Sequence, residues 1–173
     1  MNCGFHTLQL PERRVLLSHK WRKVVESGEI GMFTGEFHHN LDAKGRMIVP
    51  SKFREGLSGE FVVTRSLDGC LSMYAPEEWA ILEQKLNSLP MTNEKARMLK
   101  RFLLGSAASC EIDKQGRILI PQVLRDKVGL DKDVVLAGVG DHIEIWSSDK
   151  WDESNKAFDD TAILASDMEG LGI

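Results

Sequence analysis

Apolar positions along this chain fall into short runs that predict strands. Phe37 to Leu41 reads as one short strand, Met47-Ile48-Val49 as a second, and Phe61-Val62-Val63-Thr64, rich in β-formers, as a third. Cys70-Leu71-Ser72-Met73-Tyr74 alternates apolar and polar at the two-residue period of a half-buried strand. Asp42-Ala43-Lys44-Gly45 has Asp at the first turn position and glycine at the fourth, the chemistry of a type I turn. Pro50 removes a backbone donor and stops the second strand, and Ser51 is placed to cap a short helix over Lys52 to Gly56. Asp68-Gly69 supplies a hairpin turn. The predicted unit is β-β-α-β-β, beginning near Glu36.

The same pattern then returns. Asp42-Ala43-Lys44-Gly45-Arg46-Met47-Ile48-Val49-Pro50 reappears as Asp113-Lys114-Gln115-Gly116-Arg117-Ile118-Leu119-Ile120-Pro121, shifted by 71 positions. Arg54 meets Arg125 at the same shift. With one residue inserted, Val62-Val63 meets Val134-Val135, Leu71 and Met73 meet Ile143 and Ile145, Tyr74 meets Trp146, and Trp79 meets Trp151. Two copies make a duplicated module, not a solenoid. Each copy is roughly 45 residues, near the lower limit for a domain that folds alone. The halves are therefore expected to pack as an intrachain pseudo-dimer around one core, in an α+β, β-rich fold.

Helical spacing takes over between the copies. Pro76 opens a helix in which Trp79, Leu82 and Leu86 recur, and Pro90 ends it. Thr92 or Asn93 caps a second helix reaching Gly105, with Ala96, Leu99, Phe102 and Leu103 as its apolar stripe. Lys95, Arg97, Lys100 and Arg101 make its other face, whose plain reading is a solvated surface. The expected organisation is a module over 36–78, connecting helices over 79–106, a second module over 107–150, and a C-terminal helix and tail over 151–173. Residues 1–31 belong to neither copy, and their irregular apolar spacing predicts a poorly ordered arm. Ser166 to Ile173 reads as a frayed end.

The formal charge of −4 does not advertise a nucleic-acid partner, so any such contact must come from a local basic face. Cys3, Cys70 and Cys110 are scattered, form no CxxC pair and are odd in number, which fits reduced thiols in the cytoplasm. No apolar run approaches the roughly 20 residues needed to cross a membrane. Pro11, Glu12, Arg13 and Arg14 interrupt any signal-peptide core.

The chemistry sits in the duplicated Asp-x-x-x-Arg turn, Asp42 to Arg46 and Asp113 to Arg117. Asp and Arg flank a four-residue turn, so their side chains can meet across its mouth. The Asp can accept backbone donors and orient the arginine fork. A held guanidinium is a good ligand for phosphate or for the acceptor edge of guanine. Lys44 and Lys114 lie beside it, and Lys52, Arg54, Arg125 and Lys127 follow on the short helices. The plain alternative is that the pair only locks the turn. Duplication, each time with a strand, a proline and a basic helix behind it, favours a binding role.

Other candidates are weaker. His38 and His39 with Asp42 suggest a metal, but adjacent strand residues face opposite ways. Ser106, Ser109 and Cys110 lack any nucleophile signature. Gly138-x-Gly140 lacks the third glycine and following helix of a dinucleotide loop. The four tryptophans read as core or interface anchors.

From Met32-Phe33-Thr34-Gly35-Glu36 onward the chain closely resembles the MraZ family of bacterial transcriptional regulators, which is associated with the division and cell-wall gene cluster. The resemblance rests on Asn40 to Arg46 with Val49-Pro50, on Glu78-Trp79, on Arg101 to Ala107, and on Asp113 to Arg117 with Ile120-Pro121. It covers about 32–160. It implies two AbrB-like swapped-hairpin modules in a compact β-rich barrel unit, and a ring-like homo-oligomer larger than a dimer. It also implies sequence-specific binding to direct repeats in promoter DNA, with repression the expected direction. The DNA-facing positions it implies are Asp42, Arg46, Asp113 and Arg117; Lys44, Lys114, Arg54 and Arg125 join them as candidates from the basic residues read beside each turn. Family chains begin near Met32-Phe33, so residues 1–31 are expected to lie outside the native protein. No cofactor, metal, membrane or small-molecule substrate is expected, and the location implied is the cytoplasm, at the nucleoid. The alternatives are an oligomeric interaction scaffold and, more weakly, a hydrolase using Asp42 or Asp113, for which the motif supplies no second carboxylate or histidine.

Overall fold

Each copy of the repeat builds strand, strand, helix, strand, strand. A computed structural model of the chain describes residues 33–57 and 59–156. The expectations for 1–31 and for Ser166 to Ile173 lie outside these residues. The first copy is β1 (Phe33–Asn40), β2 (Arg46–Ile48), α1 (Ser51–Leu57), β3 (Glu60–Arg65) and β4 (Leu71–Tyr74). The connecting helices are α2 (Pro76–Asn87) and α3 (Glu94–Leu103), followed by a 3-10 turn over Leu104–Ser106. The second copy is β5 (Ala108–Glu111), β6 (Arg117–Leu119), α4 (Gln122–Val128), β7 (Asp133–Gly140) and β8 (His142–Ser147), with α5 (Ser148–Lys156) behind it. The fold is α+β and strand-rich.

The copies exchange strands. A six-stranded antiparallel sheet runs β1-β7-β8-β4-β3-β5, and β2 pairs with β6 in a separate two-stranded ribbon. Each copy thus lends its first strand to the other, β1 to β7 and β5 to β3, while β4 and β8 meet at the centre. Replacing every strand by its counterpart returns the same order reversed, which is the mark of a two-fold relation. One core serves both copies: Phe33, Met47, Phe53, Phe61 and Met73 pack with Ile118, Ile120, Leu136 and Ile145, all buried. Phe53 of α1 stands edge-on to Phe33 at 5.8 Å and to Phe37 at 5.0 Å.

Local pattern and tertiary structure differ at three places. β1 starts at Phe33, not Phe37, because it pairs along its whole length with β7, from Phe33–Gly140 to Asn40–Asp133. At Gly138 of β7 a Cβ would come within 2.5 Å of the Thr34 nitrogen, so only glycine admits this approach. The short helices start from proline, not from Ser51: the Pro50 carbonyl accepts from Phe53 N and Arg54 N, and Pro121 does the same for Leu124 and Arg125. Gln122 stands where Ser51 does in the first copy, so a hydroxyl cap is not what begins these helices. In α3 the cap is Asn93, whose side chain accepts from Ala96 N at 3.2 Å, and the last turn before Ser106 tightens to 3-10.

The repeat-equivalent aromatics hold each following helix to its own last strand. Tyr74 meets Trp79 at 6.0 Å, and Trp146 meets Trp151 at 5.8 Å. Trp151 Nε1 also donates to Glu36 Oε1 at 2.9 Å, tying α5 to β1.

Candidate nucleic-acid interface

The two Asp-x-x-x-Arg turns have one geometry. In each, the glycine nitrogen donates to the Asp carbonyl, Gly45 to Asp42 at 2.8 Å and Gly116 to Asp113 at 2.9 Å, closing the predicted four-residue turn. Asp42 Oδ1 accepts from the backbone nitrogens of Lys44 and Arg46, both at 2.9 Å. Its other oxygen, Oδ2, accepts from Arg46 Nε at 2.7 Å and lies 2.6 Å from Nη2. Asp113 repeats this arrangement with Gln115, Arg117 and its guanidinium. Each aspartate therefore builds the turn with one oxygen and aims an arginine with the other. Lys44 and Lys114 are exposed at the turn tips.

These bonds keep the carboxylates ionised. The Arg46 side chain, then the Arg46 backbone donor, holds Asp42 down to about 2, and Asp113 is lowered by the Arg117 backbone donor, then by the Arg117 side chain. A carboxyl depressed in the fold contributes its interaction above the ordinary carboxylate range and loses it as pH falls through the lowered value. The Asp42 turn is thus expected to stay locked through pH 4. A carbon-detected NMR titration checks this: the Asp42 midpoint should lie near 2 and rise in Arg46→Ala. A midpoint near 4 in the intact protein would mean that the pair does not form in solution.

Each turn is finished by the other copy. Arg125 of α4 lies over Gly45, where a Cβ would come within 2.5 Å of its guanidinium carbon, and Arg54 of α1 lies over Gly116, with 2.7 Å to Nη1. Both glycines take positive φ, 79° and 75°, a second reason for glycine at these points. Gly45 O accepts from Ile120 N, and Gly116 O from Val49 N. The spacing of the motif gave no sign that Arg54 belongs with Asp113 and Arg125 with Asp42; the shared 71-residue shift pairs each with its own turn. Of the eight singled-out residues, the structure gathers Asp42, Lys44, Arg46 and Arg125 at one turn, and Asp113, Lys114, Arg117 and Arg54 at the other.

The ribbon joins the two turns. Arg46 pairs with Leu119, Met47 with Ile118, and Ile48 with Arg117. Met47 and Ile118 point into the core, each 1 % exposed. Alternation then puts Arg46, Ile48, Arg117 and Leu119 on the outer face. The run Met47-Ile48-Val49 predicts one apolar strand, whereas Ile48 is 50 % and its counterpart Leu119 55 % exposed.

The weaker candidates have local partners. His38 Nε2 lies 2.8 Å from Glu36 Oε1, while burial, and then His38, lower the pKa of His39. Ser106 Oγ bonds the Phe102 carbonyl, and burial pushes the Cys110 thiol up to about 11. Gly138 and Gly140 lie in β7, not in a loop. The cations of α3 are partly engaged: Arg97 Nη1 donates to Met91 O at 2.8 Å and Lys100 Nζ to Leu89 O at 3.4 Å, holding the loop before the helix.

Known proteins match this chain over both copies. The family described as "MraZ protein, putative antitoxin-like" matches residues 32–102 and again 103–166. Three relatives carry the name transcriptional regulator MraZ. That of Desulforamulus reducens is 55 % identical over 124 residues, 72 % of this chain and 87 % of its own. That of Clostridium beijerinckii is 51 % identical over 142 residues, 82 % of this chain and all of its own. That of Ligilactobacillus salivarius is 55 % identical over 135 residues, covering 76 % and 94 %. A doubled family match that falls on the two strand-exchanging copies, with relatives above half identity along nearly their full length, places this chain in the MraZ family.

Proposed function

We propose that this chain is a non-enzymatic transcription regulator of the division and cell-wall gene cluster, acting in the cytoplasm at the nucleoid, which binds promoter DNA through its two composite turns. The observation that carries this reading is the guanidinium held by Asp42 or Asp113, backed by a second arginine from the other copy. A positioned arginine loses little freedom on meeting a phosphate or a guanine edge. The names of the relatives support a regulator. Strand exchange between the copies supports an AbrB-like swapped-hairpin unit. Leu67 at 72 % and Met98 at 55 % exposure, beside Phe102, offer an apolar surface for the ring-like homo-oligomer that the reading includes.

The test is a gel shift of duplex DNA taken from upstream of the chain's own gene, over a range of salt. With Arg46 and Arg117 held by Asp42 and Asp113, Lys44, Lys114, Arg54 and Arg125 can neutralise about four phosphates, so log affinity should fall with log salt at a slope of about −4 for each chain engaged. No shift, or a shift indifferent to salt, would overturn the proposal and leave the scaffold reading.

A further inference from the structure

The outer face of the β2–β6 ribbon holds two large aliphatic side chains beside Arg46 and Arg117, with Lys44 and Lys114 exposed at the flanking turn tips. We infer that Ile48 and Leu119 are specificity-determining residues, packing on the C5-methyl groups of thymines in the major groove while Arg46 and Arg117 take guanine. This rests on the DNA-binding reading above.

Three observations converge. The first is geometric. Antiparallel strands lie about 5 Å apart, so a ribbon of two strands with its outward side chains fits a major groove about 12 Å wide. The second is the arrangement of the face. Each arginine stands directly across from an aliphatic residue, Arg46 from Leu119 and Arg117 from Ile48, and the two copies place the same chemistry at the same point. Two residues along a strand span about 7 Å, close to two base-pair steps of about 3.4 Å, so each strand aligned with the groove would set its arginine and its aliphatic about two base pairs apart.

The third observation is charge. A half-exposed isoleucine and leucine gain from an apolar cover, but whatever covers them also meets Arg46 and Arg117 on the same face and comes near Lys44 and Lys114 at the turn tips. The two carboxylates of the turns, Asp42 and Asp113, are already engaged by Arg46 and Arg117. A second copy docked through the same face would bring the same cations against themselves. A duplex brings phosphates on both rims of the groove and, within it, the thymine methyl, the one apolar group on that edge.

The test removes the methyl without touching the protein. A duplex is selected from a random-sequence pool by the wild-type chain, and each thymine is replaced singly by deoxyuridine, which lacks the C5-methyl. At one or more positions the wild type should bind the uracil duplex about fourfold more weakly, the worth of one buried methyl. Ile48→Ala or Leu119→Ala should erase that difference, and Ile48→Val should keep part of it. Equal affinity for thymine and uracil at every position would overturn the inference. So would a uracil effect that persists unchanged in Ile48→Ala and Leu119→Ala, or a loss of oligomer mass by light scattering in those variants with no change in base preference. In each of these cases, DNA binding that still depends on Arg46 and Arg117 leaves the proposed function standing. If the pool yields no bound duplex, both fall together.

Discussion

The double substitution Arg46→Ala with Arg117→Ala is expected to weaken DNA binding on the order of a hundredfold or more while leaving the fold intact. Each guanidinium is offered at a turn whose shape is held by backbone bonds to Asp42 or Asp113, and those bonds survive the change. What is lost from the folded state is a partly exposed ion pair at each turn, and solvent screening leaves such pairs little effect on stability. What is lost from the complex is a bidentate contact at each turn, worth about 1–3 kcal/mol apiece. The two effects differ in kind, so they separate experimentally. Thermal unfolding should barely move, while the gel-shift midpoint should move by two decades. A protein that unfolds, or that binds as before, would show that these pairs are structural locks. Arg54→Ala and Arg125→Ala should give smaller, additive losses, because these arginines contribute charge from behind the turn.

The number of DNA repeats should matter as much as the arginines. One ribbon covers a few base pairs, too few to select a promoter among roughly 10⁶–10⁹ competing genomic sites. A homo-oligomer carrying many ribbons converts each later contact into an intramolecular one, which multiplies weak affinities by roughly 10²–10⁴. Operators with one to four short direct repeats, spaced near one helical turn, should therefore bind with steeply rising affinity. Moving the spacing by half a turn should undo the gain. Equal binding to one repeat and to four would reject the multivalent mechanism while leaving single-site recognition in place.

Much of this organisation was legible in the residues. The duplication, the strand order within each copy, the turn chemistry and the Asp–Arg contact are all local, set by spacing and by side chains a few positions apart. What was not legible depends on partners far along the chain. Phe33 joins β1 because Gly140 lies opposite it, more than a hundred residues away. Arg54 and Arg125 serve the opposite turn because the copies exchange strands, and a repeat read alone always suggests that its parts serve one another. Ile48 faces outward in a strand of three residues, too short for alternation to declare itself against an apolar run. Its twin Leu119, with Met47 and Ile118 as the buried pair beside them, becomes a signal only once the two copies are laid antiparallel.

The exchange has a consequence for orientation. Two identical chains trading strands would make a ribbon that reads the same from either end, matched to palindromic DNA. Here the two halves are covalently joined and differ, with Ala43-Lys44 at one turn and Lys114-Gln115 at the other, and Ile48 set against Leu119. The ribbon has a head and a tail. Inverting alternate repeats in the operator series should therefore cost affinity, because a reader with polarity favours a sentence written in one direction over one that doubles back.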